Sequence, residues 1–139
     1  MFLTDQDYAV VIGDDALRTI SRASEQNRAN AEQEAIEEIS GYLRPVYDCN
    51  NIFSAEGSER NPLIVMRTAD IALYHLFASM PQKMGAEIRK ERYDRAVEWL
   101  EHIQSGKIVP DLPRAIDPEA DGFSCPTVFF ADKPLRHNW

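Results

Sequence analysis

The three histidines are the side chains of this sequence best suited to hold a metal ion or to move a proton near neutral pH. They are His75, His102 and His137, and they stand far apart in the sequence. No pair has the HxxxH or HExxH spacing that would place two imidazoles on one helical face. We therefore predict no metal site and no cofactor, and we interpret His75 as a partly buried helix residue.

The two cysteines, Cys49 and Cys125, could in principle supply a nucleophile or a disulfide bond. A thiolate nucleophile needs a neighbouring base, and neither cysteine has a histidine beside it. The sequence also contains no CxxC pair, and no secretory leader precedes the first predicted helix. This pattern favours two reduced thiols in a cytoplasmic setting.

Paired carboxylates are the remaining candidates for acid–base chemistry. Asp14-Asp15 and Glu37-Glu38 both fall in segments with helical character, where solvated carboxylates ordinarily keep a domain soluble. No glycine-rich loop leads from a strand into a helix, so a phosphate-binding site is not predicted either. We predict that the chain has no catalytic residue and is not an enzyme.

The charge balance restricts the partners of the chain. Its 139 residues include 15 Lys and Arg against 23 Asp and Glu, which gives a formal net charge of −8. Proteins that bind nucleic acid concentrate basic residues to neutralise phosphates, so sequence-specific DNA binding is disfavoured. No apolar run approaches the ~20 residues of a membrane-spanning helix, so we expect a soluble protein without a membrane partner. The length suits a single hydrophobic core.

Five helices, two short and three long, are predicted to position these side chains. Thr4 is a candidate N-cap for the first short helix, and Gly13 separates it from the second. The long helices are predicted over about residues 27–43, 61–79 and 86–105 because apolar residues recur there at helical spacing. Residues 48–60 are rich in turn formers and are predicted to form a loop. The predicted fold class is all-α, a small helical bundle.

The character of the chain changes after Lys107. Five of the eight prolines follow this point, so no long helix fits there. The β-branched and aromatic residues at 127–130 predict a short strand. We therefore divide the chain into a helical domain, residues 1–107, and an extended proline-rich C-terminal arm, residues 108–139.

Apolar side chains on this arm are predicted to form an interface, because large apolar groups are unfavourable in water. They are Phe123, Val128, Phe129, Phe130 and Trp139. The arm could dock on the helices of its own chain, or a neighbouring subunit could accept it as an added strand or in a groove. Both arrangements remain open at the level of the sequence.

One ion pair is predicted between the last two helices. Asp70 lies on a helix that is apolar almost all round, and Arg92 lies on the apolar side of the last helix. Pairing would satisfy two charges that neither helix can hide alone, and we predict that it fixes the register of these helices. Arg67 and Arg89 are alternative partners for Asp70.

Several short segments stand in an order that is similar to that of a known phage family. They are FLTDQDY (2–8), IGDDAL (12–17), ISGYLRPVYD (39–48), ADIALY (69–74), ERYDRAVEWL (91–100) and SGK (105–107). In this order they resemble the Mu-like prophage family of head–tail connectors, over about residues 1–109. Each segment alone would be an ordinary helix-packing motif. The connection at residues 48–60 is longer than in the usual family pattern.

The resemblance implies an all-helical adaptor without catalysis, which stacks below the portal as a ring, commonly of about twelve subunits. Its partners would be further copies of itself, the portal and the tail-side neck proteins. Its location would be the bacterial host cytoplasm during assembly and then the neck of the virion. An acidic channel face would let DNA pass without sticking. Glu34, Glu37 and Glu38 are candidates for that face, with simple solvation as the alternative.

The sequence argues against two other classes of function. A small helical regulatory or DNA-binding protein of a mobile element would need basic residues on a short second helix. The only comparable segment carries Arg18 against Asp14 and Asp15, so its charge argues against this class. A small enzyme would need a convergent pocket with a perturbed acid, base or nucleophile, and the sequence supplies no such group.

Overall fold

The computed structural model of the chain describes residues 1–21, 25–78 and 85–115. Six α-helices lie in these ranges: α1 (Asp5–Ile12), α2 (Asp14–Ser21), α3 (Glu25–Leu43), α4 (Cys49–Ser54), α5 (Pro62–Ala78) and α6 (Ala86–Gln104). A single 3-10 turn covers Gly57–Glu59. The described ranges contain no strand, and the predicted all-α class is confirmed.

Helix starts follow the capping residues of the sequence. The Thr4 side chain accepts a hydrogen bond from the Asp7 amide, and Asp7 Oδ2 in turn accepts one from the Thr4 amide at 2.7 Å. This reciprocal capping box satisfies backbone donors that have no partner inside α1. Asn61 caps the start of α5, where its Oδ1 accepts hydrogen bonds from the amides of Leu63 and Ile64 at 3.0 and 3.2 Å. Pro62 occupies the first turn of α5, where its missing N–H is not needed.

The connection predicted as a loop at residues 48–60 instead contains α4, so five predicted helices become six in the described ranges. Asp48 caps this helix by accepting from the Asn51 amide at 3.2 Å. Ile52 turns inward and is 4 % exposed. A helix of six residues is too short to show a periodic apolar pattern, and an isolated helix of that length would not be stable. Its stability comes from burying Ile52 against the rest of the fold.

The hydrophobic core lies between α3, α5 and α6, with α5 in the central position. The fully buried side chains include Ile39 and Leu43 on α3, Ile71 and Leu73 on α5, and Leu100 on α6. Burying a large aliphatic side chain contributes roughly 1.5–3 kcal/mol. The three long helices therefore form the stable frame on which the polar clusters described below are built.

The N-terminal segment is fastened onto this frame by a buried carboxylate. Glu32 on α3 is fully buried, and its Oε1 accepts hydrogen bonds from the amides of Phe2 and Leu3 at 2.6 and 3.2 Å. Asp7 pairs with Arg60 at 2.7 Å, which links α1 to the segment before α5. Phe2 and Leu3 are both buried, so their hydrogen bonds to Glu32 hold two side chains of the hydrophobic core in place.

The first eight residues of the predicted arm pack against the helical body. Leu112 is 9 % exposed, and the Asp48 amide donates to the Pro113 carbonyl at 2.9 Å. The Ala115 amide donates to the Val46 carbonyl at 3.1 Å, so residues 113–115 run beside the end of α3. The rest of the arm lies outside the described residues. With it lie the predicted strand at 127–130 and the predicted interface residues Phe123, Val128, Phe129, Phe130 and Trp139.

Candidate functional site

The predicted pairing of Asp70 and Arg92 has a direct counterpart in the structure. Arg92 Nε donates to Asp70 Oδ1 at 2.6 Å, which joins α6 to α5. The Asp70 side chain is completely buried, whereas the Arg92 side chain is 33 % exposed. The contact therefore reaches from the core to the surface. Its proposed role in setting helix register remains a prediction.

The two alternative partners of Asp70 also lie at this position. Arg67 Nη1 stands 3.6 Å from Asp70 Oδ2, one helical turn before it on α5. Arg89 on α6 acts on Asp70 through its charge. Each of these arginines also lies over an aromatic ring, Arg67 above Trp99 and Arg89 above Phe77, both at 5.9 Å from the guanidinium carbon to the ring centre. We call Asp70, Arg67, Arg89 and Arg92 the arginine cluster.

Burial dominates the electrostatics of the arginine cluster. It raises the pKa of Asp70 above its ordinary value, although the hydrogen bond from Arg92 and the charges of all three arginines oppose this effect. Burial likewise lowers the pKa of Arg89, and the positive charge of Arg92 lowers it further. Three hydrogen-bonding atoms of the cluster are buried without a hydrogen-bond partner among the described residues: Arg67 Nε, Arg89 Nη1 and Asp70 Oδ2. The cluster therefore combines crowded positive charge with incomplete hydrogen bonding.

A second polar cluster joins all three long helices. Glu38 on α3 accepts a hydrogen bond from the Tyr93 hydroxyl at 2.7 Å, and its other oxygen lies 2.9 Å from His75 Nε2. Tyr93 stacks on Tyr74 with ring centres 4.1 Å apart. Burial and the hydrogen bond to Glu38 raise the pKa of Tyr93 above its ordinary value, so the hydroxyl keeps its proton. The Glu38 cluster, as we name these residues, is a structural tie between helices.

This arrangement changes the interpretation of the acidic face of α3. Glu34 and Glu37 are exposed, at 64 and 73 % of their side chains. Glu38, which was grouped with them, is only 24 % exposed and points toward α5 and α6. Glu38 is therefore not part of a solvated channel face on the described structure, because its oxygens are occupied by Tyr93 and His75.

An open groove of about 830 Å³ lies beside α4. Ile36, Tyr47, Phe53 and Cys49 contribute to its lining. Burial raises the pKa of Cys49, and its thiol contacts the Ser40 carbonyl at 3.9 Å. A thiol with a raised pKa is a poor nucleophile at neutral pH.

No three His, Cys, Asp or Glu side chains come together in residues 1–21, 25–78 and 85–115 in a way that could hold a metal ion. In the same ranges, no helix is both long enough and apolar enough to span a membrane.

Sequence reasoning singled out Asp70 with Arg92, and Arg67 and Arg89 as alternative partners, but it gave no indication that all three arginines gather there and missed Glu32 and the Glu38 cluster. Asp70 gave a signal because it interrupts an apolar helix. Glu32 and Glu38 stand in a helix with many other carboxylates, where nothing in the local pattern separates a buried one from a solvated one. One weak signal for the burial of Glu32 was its position next to Ala31, which belongs to the apolar face of α3 and is buried.

Comparison with known proteins places these features in a family. No curated protein and no solved structure matches the chain significantly. The family model described as bacteriophage Mu, Gp36 matches residues 2–124, which includes every described helix and both polar clusters. Since the match extends over nearly the whole sequence, the chain belongs to the bacteriophage Mu Gp36 family.

Proposed function

We propose that this protein is a head–tail connector subunit, which assembles as a ring between the portal and the tail of a phage or prophage particle. The observation that carries the proposal is membership of a phage Mu family over residues 2–124, combined with the connector-like order of its helical segments. The partners would be further copies of the chain, the portal and the tail-side neck proteins. The protein would act in the host cytoplasm during assembly and then reside in the virion neck.

Support for this proposal comes from three carboxylates that join different parts of the described structure. Asp70, Glu38 and Glu32 each fasten two or more parts of the chain together. Interactions of this kind join the N-terminal segment and the three long helices into one packed unit, which suits a structural subunit. The C-terminal arm, with its proposed interface residues Phe123, Val128, Phe129, Phe130 and Trp139, would supply contacts to a neighbouring subunit or to the portal.

An in-frame deletion of the gene in its prophage tests the proposal. After induction, electron microscopy should show DNA-filled heads and separate tails without joined particles. Expression of the protein from a plasmid should restore joined particles. Intact virions from the deletion strain would contradict the connector function. An absence of both heads and tails would also contradict it, and would favour a regulatory protein instead.

A biochemical experiment tests the partner directly. The purified chain, mixed with the portal of the same phage, should form a complex whose mass corresponds to a ring of subunits on the portal. The absence of any complex over a range of salt and protein concentrations would count against the proposal.

A further inference from the structure

The arginine cluster carries more positive charge than its single carboxylate can balance. Three arginines against one aspartate leave it with a formal charge of +2, in a chain whose net charge is −8. All three arginines are partly buried, and the side chains of Arg67 and Arg92 are 19 and 33 % exposed. Like charges held together in a partly dry environment repel each other strongly. The isolated subunit therefore bears an electrostatic cost at this position.

The hydrogen-bonding pattern points to the same deficit. Within the described residues, Arg67 Nε and Arg89 Nη1 are buried donors without an acceptor, and Asp70 Oδ2 makes only a long contact to Arg67. Because these two nitrogens are closed to solvent, an incoming carboxylate would meet the exposed parts of the Arg67 and Arg92 side chains. Buried donors are normally satisfied, and leaving one unpaired is unfavourable. Arg67 and Arg89 are nonetheless held by the rings of Trp99 and Phe77, so their positions are fixed before any partner arrives. A preorganised set of guanidinium groups is well suited to bind a carboxylate.

We propose that carboxylate side chains of a second copy of this chain dock on the arginine cluster and complete it at a subunit–subunit contact. This inference rests on the proposed ring assembly and names the surface on which one contact of the ring is built. The cluster lies on α5 and α6. Glu34 and Glu37 are exposed carboxylates on α3. Glu37 pairs with Arg44 at 3.1 Å in the same chain and Glu34 lies 3.9 Å from His75 Nδ1, so docking would exchange these exposed contacts for the cluster. A head-to-tail contact in a ring joins two different faces of the same chain, so an acidic face and a basic cluster complement each other.

A second copy is a better occupant than DNA because the same chain presents both members of the pair, the arginine cluster on α5 and α6 and exposed carboxylates on α3. The net charge of −8 opposes the approach of DNA and of a second copy alike, so the choice rests on these local charges. The short hydrogen bonds and the planar geometry of an arginine–carboxylate pair also favour one relative orientation of the two subunits.

Two substitutions in the full-length chain test this inference. Arg67→Gln and Arg89→Gln remove surplus charge and spare the Asp70–Arg92 hydrogen bond. The matched control is Arg95→Gln, an exposed arginine on α6 that pairs with Glu91 within its own helix. Self-association is measured by sedimentation over a range of protein concentrations, with and without the portal, and stability is measured by urea unfolding of the dilute subunit.

The expected result separates an interface from an internal support. Each cluster variant should weaken self-association by about tenfold or more, as expected for the loss of a charge-assisted contact. The unfolding midpoint of the dilute subunit should stay unchanged or rise, because repulsion inside the cluster is relieved. Arg95→Gln should change neither quantity, and Arg89→Lys should recover part of the association because it retains the charge.

Four results would overturn the inference. The first is a wild-type chain that stays monomeric both alone and on the portal. The second is an association constant that the cluster variants do not change. The third is a lower unfolding midpoint in the variants without an effect on association, which would make the cluster an internal support. The fourth is binding of a short DNA duplex that Arg67→Gln or Arg89→Gln abolishes. A chain that binds the portal while failing one of these tests retains its proposed function and loses only this contact.

Discussion

Asp70 is the single residue whose loss should disturb the subunit most. Its side chain is completely buried, and within the described residues it pairs with Arg67 and Arg92 and interacts with the charge of Arg89. Asp70→Ala should lower the free energy of unfolding by about 3–5 kcal/mol, because it leaves partly buried positive charges without their partner. Urea unfolding monitored by circular dichroism measures this change.

The control for this prediction is Asp94→Ala on α6. Asp94 pairs with Lys90 at 2.9 Å in a contact that is largely exposed on both sides. Its removal should have a far smaller effect, since water replaces the lost partner. Equal unfolding midpoints for wild type and Asp70→Ala would show that the bridge does not contribute to stability, and its role in helix register would be lost with it.

Asp7 should make the stability of the subunit depend on pH. Burial alone would raise the pKa of Asp7, but hydrogen bonds from Arg60 and Thr4 outweigh it and hold the pKa below its ordinary value. A depressed pKa in the folded state means that the ionised carboxylate stabilises the fold. This contribution is fully present above the unfolded-state pKa of about 3.9 and is lost as the pH falls through the lower folded-state value.

Asp7→Asn isolates this effect. The variant should be less stable than wild type near pH 7, and the difference should shrink as the pH falls below about 4. Urea unfolding at several pH values provides the comparison. Asp14→Asn is a suitable control, because Asp14 is an exposed carboxylate in the first turn of α2. A difference that stays constant over the whole pH range would contradict the assignment.

At the scale of the helices, the Glu38 cluster should hold α3 against α6. The hydroxyl of Tyr93 donates to Glu38, whereas its stacking partner Tyr74 has no hydroxyl hydrogen bond within the described residues. Tyr93→Phe should therefore destabilise the subunit by about 1–3 kcal/mol, since it leaves a partly buried carboxylate with one partner fewer. Tyr74→Phe keeps the stacked rings and should have a smaller effect.

A double-mutant cycle tests whether the effect belongs to this hydrogen bond. If Tyr93 and Glu38 act as a pair, the unfolding free energies of Tyr93→Phe and Glu38→Gln should not add in the double variant. Additive values would mean that the two residues stabilise the fold independently, and the description of the cluster as a tie between helices would be wrong.

Local sequence signals predict most of the long helices but not the short helix α4. The capping residues Thr4 and Asn61 and the apolar spacing of α3, α5 and α6 specify these helices in the sequence itself. The helix α4 had no periodic signal, and its cap at Asp48 looks like any aspartate in a turn. Its existence depends on the buried Ile52 and on the adjoining segment 113–115, which is distant in the sequence.

At the scale of the whole molecule, the shared core predicts one cooperative unfolding transition. The helices α3, α5 and α6 contribute to a single cluster of buried residues, and Trp99 lies within it at 8 % exposure. The midpoints from circular dichroism and from Trp99 fluorescence should coincide. Trp139→Phe removes the second of the two tryptophans, so that the emission reports on the core alone. Two separate midpoints would indicate that the N-terminal helices or α6 unfold independently.

The sequence by itself determined the helical class, the three long helices, the acidic charge and Asp70 with its possible arginine partners. These properties are local or compositional: spacing, capping and an isolated charge on an apolar helix are visible without knowledge of contacts. Only the tertiary structure decided which carboxylates are buried, that all three arginines gather around Asp70, and that Glu38 faces the core. Burial and charge pairing depend on residues from different helices, and their positions follow only when those helices pack.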